Sequence, residues 1–184
     1  MKRITTQILC RAGVLAAAGF ILTLFEFPLL PSAPFLKYDA STVPVLFATF
    51  GMGPGVGVLT EALKSAIFHF SGKNTTGLVG TSAMFVAGAT FALVAGAVYS
   101  GMRNIRGAVL GLLAGTAVTT AVMFLANVYV FLPLWGIPEN LRMSMAVSAV
   151  LPFNILKGLL TSLITFLLYK RVSPLIKVRR PSNV

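Results

Sequence analysis

Apolar residues fall in six blocks separated by short polar or proline- and glycine-rich stretches, and the length of each block limits what it can do. The first, about Thr5 to Phe25, is long enough to cross a membrane as a helix. It ends at Glu26-Phe27-Pro28 and the proline-rich Pro31-Ser32-Ala33-Pro34, where a helix cannot continue. The second, about Ser41 to Phe50, is only about 15 Å long as a helix and cannot cross a ~30 Å core alone. Either loop 27–40 dips into the membrane to meet it, or the two form a shallow re-entrant structure, which is tolerated where backbone lines a cavity or is buried in protein. That makes the loop a candidate part of a binding site. Gly51-Met52-Gly53-Pro54-Gly55 predicts a tight turn into a third helix, about Pro54 to Phe70. Further helices are predicted over about Leu78–Ser100, Gly107–Phe131 and Ala146–Tyr169.

The expected fold class is therefore all-α: one membrane domain over residues 1–184, with six transmembrane helices. Composition agrees, since the 184 residues are 57% hydrophobic and only 10% charged, with a mean hydropathy of +0.89. That excludes a soluble globule and leaves no room for a nucleotide-hydrolysing domain. The start, with Met1-Lys2-Arg3 before an apolar stretch, resembles a signal peptide, but the chain is read as one polytopic unit with an uncleaved first helix.

Charge then orients the helices. Fifteen Lys and Arg face four Asp and Glu. Ten of the basic residues (Lys2, Arg3, Arg11, Arg103, Arg106, Lys170, Arg171, Lys177, Arg179 and Arg180) fall on the side of the two termini. Lys37, Lys73 and Arg142 fall in the opposite loops. This asymmetry predicts both termini in the cytoplasm of a multi-pass cell-membrane protein. It also accounts for the basic tail, about 170–184, without nucleic acid; the tail can in addition touch anionic membrane lipid. Small residues four apart, at Ala12/Ala16, Gly13/Ala17, Gly88/Ala92/Gly96 and Gly107/Gly111/Gly115, allow close helix approach, either within the chain or, on the first helix, against another membrane protein.

Polar residues inside spans are costly and mark candidate sites. Asn154 and Lys157, three apart, share a face of the sixth helix, and Asn127 lies at a similar depth on the fifth. Two amides and an ammonium suit a neutral planar ligand with carbonyls and ring nitrogens. Phe35, Leu36, Tyr38 and Trp135 are available as flat contact area. The competing reading has the amides bonded to neighbouring backbone and Lys157 snorkelling outward. Glu61 and Lys64 are read as a structural ion pair facing the interior rather than a proton relay, because no chain of further acids accompanies them. The sole histidine, His69, has no ligand-spaced companions, so no metal site is expected. No G-x-x-x-x-G-K-[ST], no G-x-S-x-G and no paired acids occur, so neither ATP hydrolysis nor another enzyme activity is expected.

Four stretches carry a resemblance: FPLLPSAPFLKYDASTVP (Phe27–Pro44), GPGVGVLTEALKS (Gly53–Ser65), NVYVFLPLWG (Asn127–Gly136) and LPFNILKG (Leu151–Gly158). Together they resemble the riboflavin-specific S component (RibU type) of energy-coupling-factor (ECF) transporters, from the first helix to Tyr169. The resemblance implies a vitamin-uptake subunit that captures riboflavin from outside. Riboflavin is its transported substrate, with no cofactor. Partners implied are a transmembrane coupling protein and two ABC ATPases, which supply the ATP hydrolysis. It assigns Asn127, Asn154 and Lys157 to the isoalloxazine ring, Leu36 and Tyr38 to the ligand-contacting loop, and Ala12 and Ala16 to docking. The resemblance assigns no role to the basic extension beyond Leu175. Alternatives are an S component for thiamine or biotin, the former disfavoured by cationic Lys157, and an intramembrane enzyme.

Overall fold

The computed structural model describes residues 5–176 except 32 and 35, with side chains as far as residue 169. Lys2, Arg3, Phe35 and the tail from Lys170, on which some expectations rest, fall outside the residues so described. The fold is all-helical apart from one short ribbon. Helix α1 is Thr6–Thr23, α2 Thr42–Met52, α3 Pro54–Phe70 and α4 Gly77–Met102. Helix α5 covers Ile105–Leu134 and α6 Glu139–Tyr169, the latter continuing as helix to Ile176. Among the described residues α1, α4, α5 and α6 are long and apolar enough to cross a membrane, while α2 is a shorter apolar helix.

Helix α2 is buried from Thr42 through Phe50 on every side, as an all-round apolar helix must be. It forms an antiparallel hairpin with α3: the α2–α3 turn is at Gly53, and Ser41, just before α2, lies opposite Lys64. Gly53 takes φ +111°, which side chains rarely adopt, and Pro54 starts α3 with its φ already helical. The glycine and alanine stripes of α4 and α5 are buried, serving internal packing. At the far end of the bundle the Tyr99 and Tyr169 hydroxyls meet at 2.6 Å, beside the ring of Phe50.

Loop 27–40 is less irregular than expected. Phe27–Pro28 pairs antiparallel with Lys37–Tyr38. The second strand alternates, with Lys37 exposed and Tyr38 buried. Lys37 Nζ lies 2.9 Å from Glu26 Oε1, and Lys73 Nζ donates to the Leu24 carbonyl at 2.9 Å, tying the ribbon and the α3–α4 turn to one end of the bundle. Helix α6 begins at Glu139, seven residues before the expected Ala146, because Pro138 precedes it and Glu139 sits favourably in its first turn. Both α5 and α6 carry one wide π turn, Asn127–Phe131 and Ala146–Val150, just ahead of Pro133 and Pro152. Proline lacks an N–H and collides with the carbonyl four residues back, and an opened turn accommodates both.

Candidate functional site

The Thr116 and Ser162 hydroxyls, 3.2 Å apart, set the antiparallel register of α5 and α6. Between these helices, α4 and the start of α2 lies a cavity. Ser41, Thr42, Met84, Phe91, Asn154 and Lys157 are among its walls. About 40 Å³ of it is open to the centre of a water molecule, which is space for a few waters and far less than a fused ring system needs.

Of the sequence-predicted residues, Asn154 and Lys157 come together on this cavity. Asn127 is buried about one turn further out and is absent from its walls. Both amides donate to their own helix, Asn154 Nδ2 to the Val150 carbonyl at 2.8 Å and Asn127 Nδ2 to the Met123 carbonyl at 2.7 Å. Among the described residues neither amide oxygen accepts a hydrogen bond, so each retains an acceptor and a second N–H for a ligand. Tyr38 is buried at the inner end of the ribbon, and Leu36 is half-buried outside the cavity walls. Trp135 is exposed just past the end of α5, its ring 6.3 Å from that of Phe131, and contributes no cavity wall.

Lys157 does not snorkel outward. Its Nζ lies 3.3 Å from Asp39 Oδ2 and 5.9 Å from the centre of the Phe153 ring. Asp39 is 6% exposed, and its Oδ1 accepts from the Ser41 backbone N–H at 2.9 Å. Burial pushes its carboxyl pKa up, but Lys157, Lys64 and the Ser41 hydroxyl and amide together outweigh that and hold it at about 2. Asp39 is therefore an anion, and the Lys157 ammonium has a fixed counter-charge. Sequence reading overlooked Asp39. A lysine inside a span calls for an anion, but with Glu61 matched by Lys64, choosing among Glu26, Asp39 and Glu139 needed the packed structure.

The Glu61–Lys64 pair is fully buried, as expected, with Lys64 Nζ 2.9 Å from Glu61 Oε2. Lys64 Nζ also donates to Ser41 Oγ at 3.0 Å, and Ser65 Oγ donates to Glu61 Oε1 at 3.2 Å. A polar line thus runs from the pair through Ser41 and Asp39 to Lys157. His69, at the end of α3, is occupied by Thr81 and Asn74.

Ala12 and Ala16 are fully buried on the side of α1 that packs against α2 and α3. The open face of α1 instead carries Gly13, where a side chain would meet nothing within 4 Å, together with exposed Val14, Ala17 and Ile21. An intermolecular contact made directly by Ala12 and Ala16 would require α1 to leave this packing. Gly13 and Ala17 are the small pair one residue on that is already accessible.

A sequence profile of the family described as "ECF transporter, substrate-specific component" matches residues 7–169. The chain is 36% identical to the riboflavin transporter RibU of Staphylococcus aureus, over 90% of this chain and 89% of that one. It is 28% identical to the riboflavin transporter FmnP of Bacillus subtilis, over 94% and 95%, and 30% identical to the riboflavin transporter RibU of Streptococcus thermophilus, over 89% and 82%. A solved structure described as the S component of a bacterial ECF transporter superposes with a TM-score of 0.79 at 36% identity, covering 94% of this chain and 98% of that one.

Proposed function

The chain belongs to the family of ECF transporter substrate-specific components, and from that membership we propose that it binds riboflavin in the membrane as the substrate-capturing subunit of an ATP-driven importer. The observation that carries this reading is similarity along nearly the whole chain to several proteins named as riboflavin transporters. The cavity supports it chemically. The Asn154 amide and the Lys157 ammonium lie one turn apart and match the carbonyls and ring nitrogens of a flat, neutral ring bearing an imide, and Met84 and Phe91 supply apolar area. Asn127 and Leu36 belong to the outer side of the proposed site, and buried Tyr38 to its edge next to Thr161.

The present cavity is too small for the ring, so binding requires the segment carrying Asp39 and the wall of α6 to part. The ligand then replaces part of what Asp39 offers Lys157. In the proposed topology all six helices are inserted and both termini are cytoplasmic, so the ribbon end faces outward. The subunit catalyses nothing itself. A transmembrane coupling protein docks on the open face of α1, around Gly13 and Ala17, and two ABC ATPases drive release. Release inside requires that the docked conformation bind riboflavin less well, since an equilibrium shifts only by differential affinity.

The test is a titration of the purified protein in detergent. Riboflavin fluorescence is expected to be quenched at sub-micromolar protein, with excess thiamine unable to restore it. Absence of quenching at micromolar concentration, with a colourless preparation, rules the ligand out.

A further inference from the structure

Threonine hydroxyls inside helices ordinarily bond to the carbonyl one turn back. Thr49 and Thr60 do so here, at 2.9 and 2.8 Å. On α5 and α6, by contrast, the hydroxyls of Thr119, Thr120, Thr161 and Thr165 are buried with no partner among the described residues. An orphaned buried hydroxyl is destabilising and persists where something else completes it. Two of the four, Thr119 and Thr161, also line the cavity shared by Asn154 and Lys157. Thr161 is one turn beyond Lys157 on α6 and is 1% exposed. The Tyr38 hydroxyl lies beside it, near enough to interact with it, but neither hydroxyl has a partner in hydrogen-bond geometry among the described residues.

The cavity therefore has two chemically different parts. Around Asn154 and Lys157 the groups have fixed roles, suited to ring carbonyls. Around Thr119 and Thr161 the groups are hydroxyls, which donate or accept as required. Their natural complement is another set of hydroxyls. We propose that Thr119 and Thr161 bind the polyhydroxylated side chain of riboflavin and so make the protein prefer a flavin bearing that chain over the bare ring. This rests on the riboflavin reading above.

The experiment measures the affinity of the full-length protein in detergent for riboflavin and for lumiflavin, which keeps the ring and lacks the polyol. Thr119→Val and Thr161→Val are each expected to weaken riboflavin about tenfold or more, to leave lumiflavin within about twofold, and to leave the ligand-free melting temperature unchanged or higher. Thr161→Ser, which keeps the hydroxyl, is expected to retain riboflavin affinity. Thr120→Val, an orphan outside the cavity walls, is the control and is expected to change neither. If the valine variants bind riboflavin as the wild type does, or lose both flavins equally, the threonine assignment is overturned while the riboflavin reading stands. Wild-type protein that binds neither flavin overturns both.

Discussion

Lys157 and Asp39 are 118 residues apart in sequence and 3.3 Å apart in space, and each makes the other's charge tolerable inside the bundle. Because the folded pKa of Asp39 lies near 2, below the ordinary carboxylate value, its stabilising contribution is fully present above pH 4. It is lost as pH falls toward 2. Asp39→Asn is therefore expected to lower the melting temperature at pH 7, by an amount equivalent to about 2 kcal/mol. The gap to wild type should close between pH 4 and pH 2, as measured by thermal unfolding in detergent; a pH-independent gap contradicts the ion pair. Asn154→Ala and Lys157→Ala are expected to weaken riboflavin by about 5- to 150-fold, from about 1–3 kcal/mol for a pocket hydrogen bond left unmade. Equilibrium fluorescence titration reads this directly. Asn154 and Lys157 were legible in the sequence because polar groups inside apolar blocks stand out. Asp39 and the cavity threonines were not: an acid in a loop and a hydroxyl in a helix look ordinary until a distant element is packed on them.

The helices themselves were legible from block length and turn residues, including the short α2. Local pattern did not disclose the ribbon Phe27–Pro28/Lys37–Tyr38, since strands of two residues carry no period. Nor did it disclose the two π turns, which follow from how Pro133 and Pro152 are absorbed. The Glu61–Lys64 pair joins the element scale to the residue scale. Its acid is buried between α3 and α4, where a Cβ on Gly88 would collide with the Glu61 carboxylate, and its lysine lies against Gly19 of α1. Glu61→Gln leaves the Lys64 ammonium without its partner. We expect a loss of about 3–5 kcal/mol, with much of it recovered in Glu61→Gln/Lys64→Met, because replacing both charges removes the unpaired ion. Thermal unfolding of the two variants checks this. No recovery in the double variant would mean that the polar line to Ser41 and Asp39 matters more than the pair.

At the scale of the whole molecule, α1 has two faces with different work. Ala12 and Ala16 bind it to the bundle, and Gly13 and Ala17 remain open toward the surroundings. Ala17→Leu is expected to abolish riboflavin uptake by cells that contain the coupling protein and ATPases, while the purified subunit binds riboflavin with unchanged affinity. Loss of both together would place the fault in folding rather than docking.

The sequence by itself determined a membrane protein of apolar helices, the side its basic residues favour, and the positions of the two polar residues that line the cavity. Hydrophobic block length, turn chemistry and charge asymmetry are local quantities that can be read along the chain. Only the tertiary structure decided which face of α1 stays open, which anion completes Lys157, and which threonines remain without partners around the cavity. Those outcomes depend on which helices touch and in what register, and packing sets that among residues far apart in sequence.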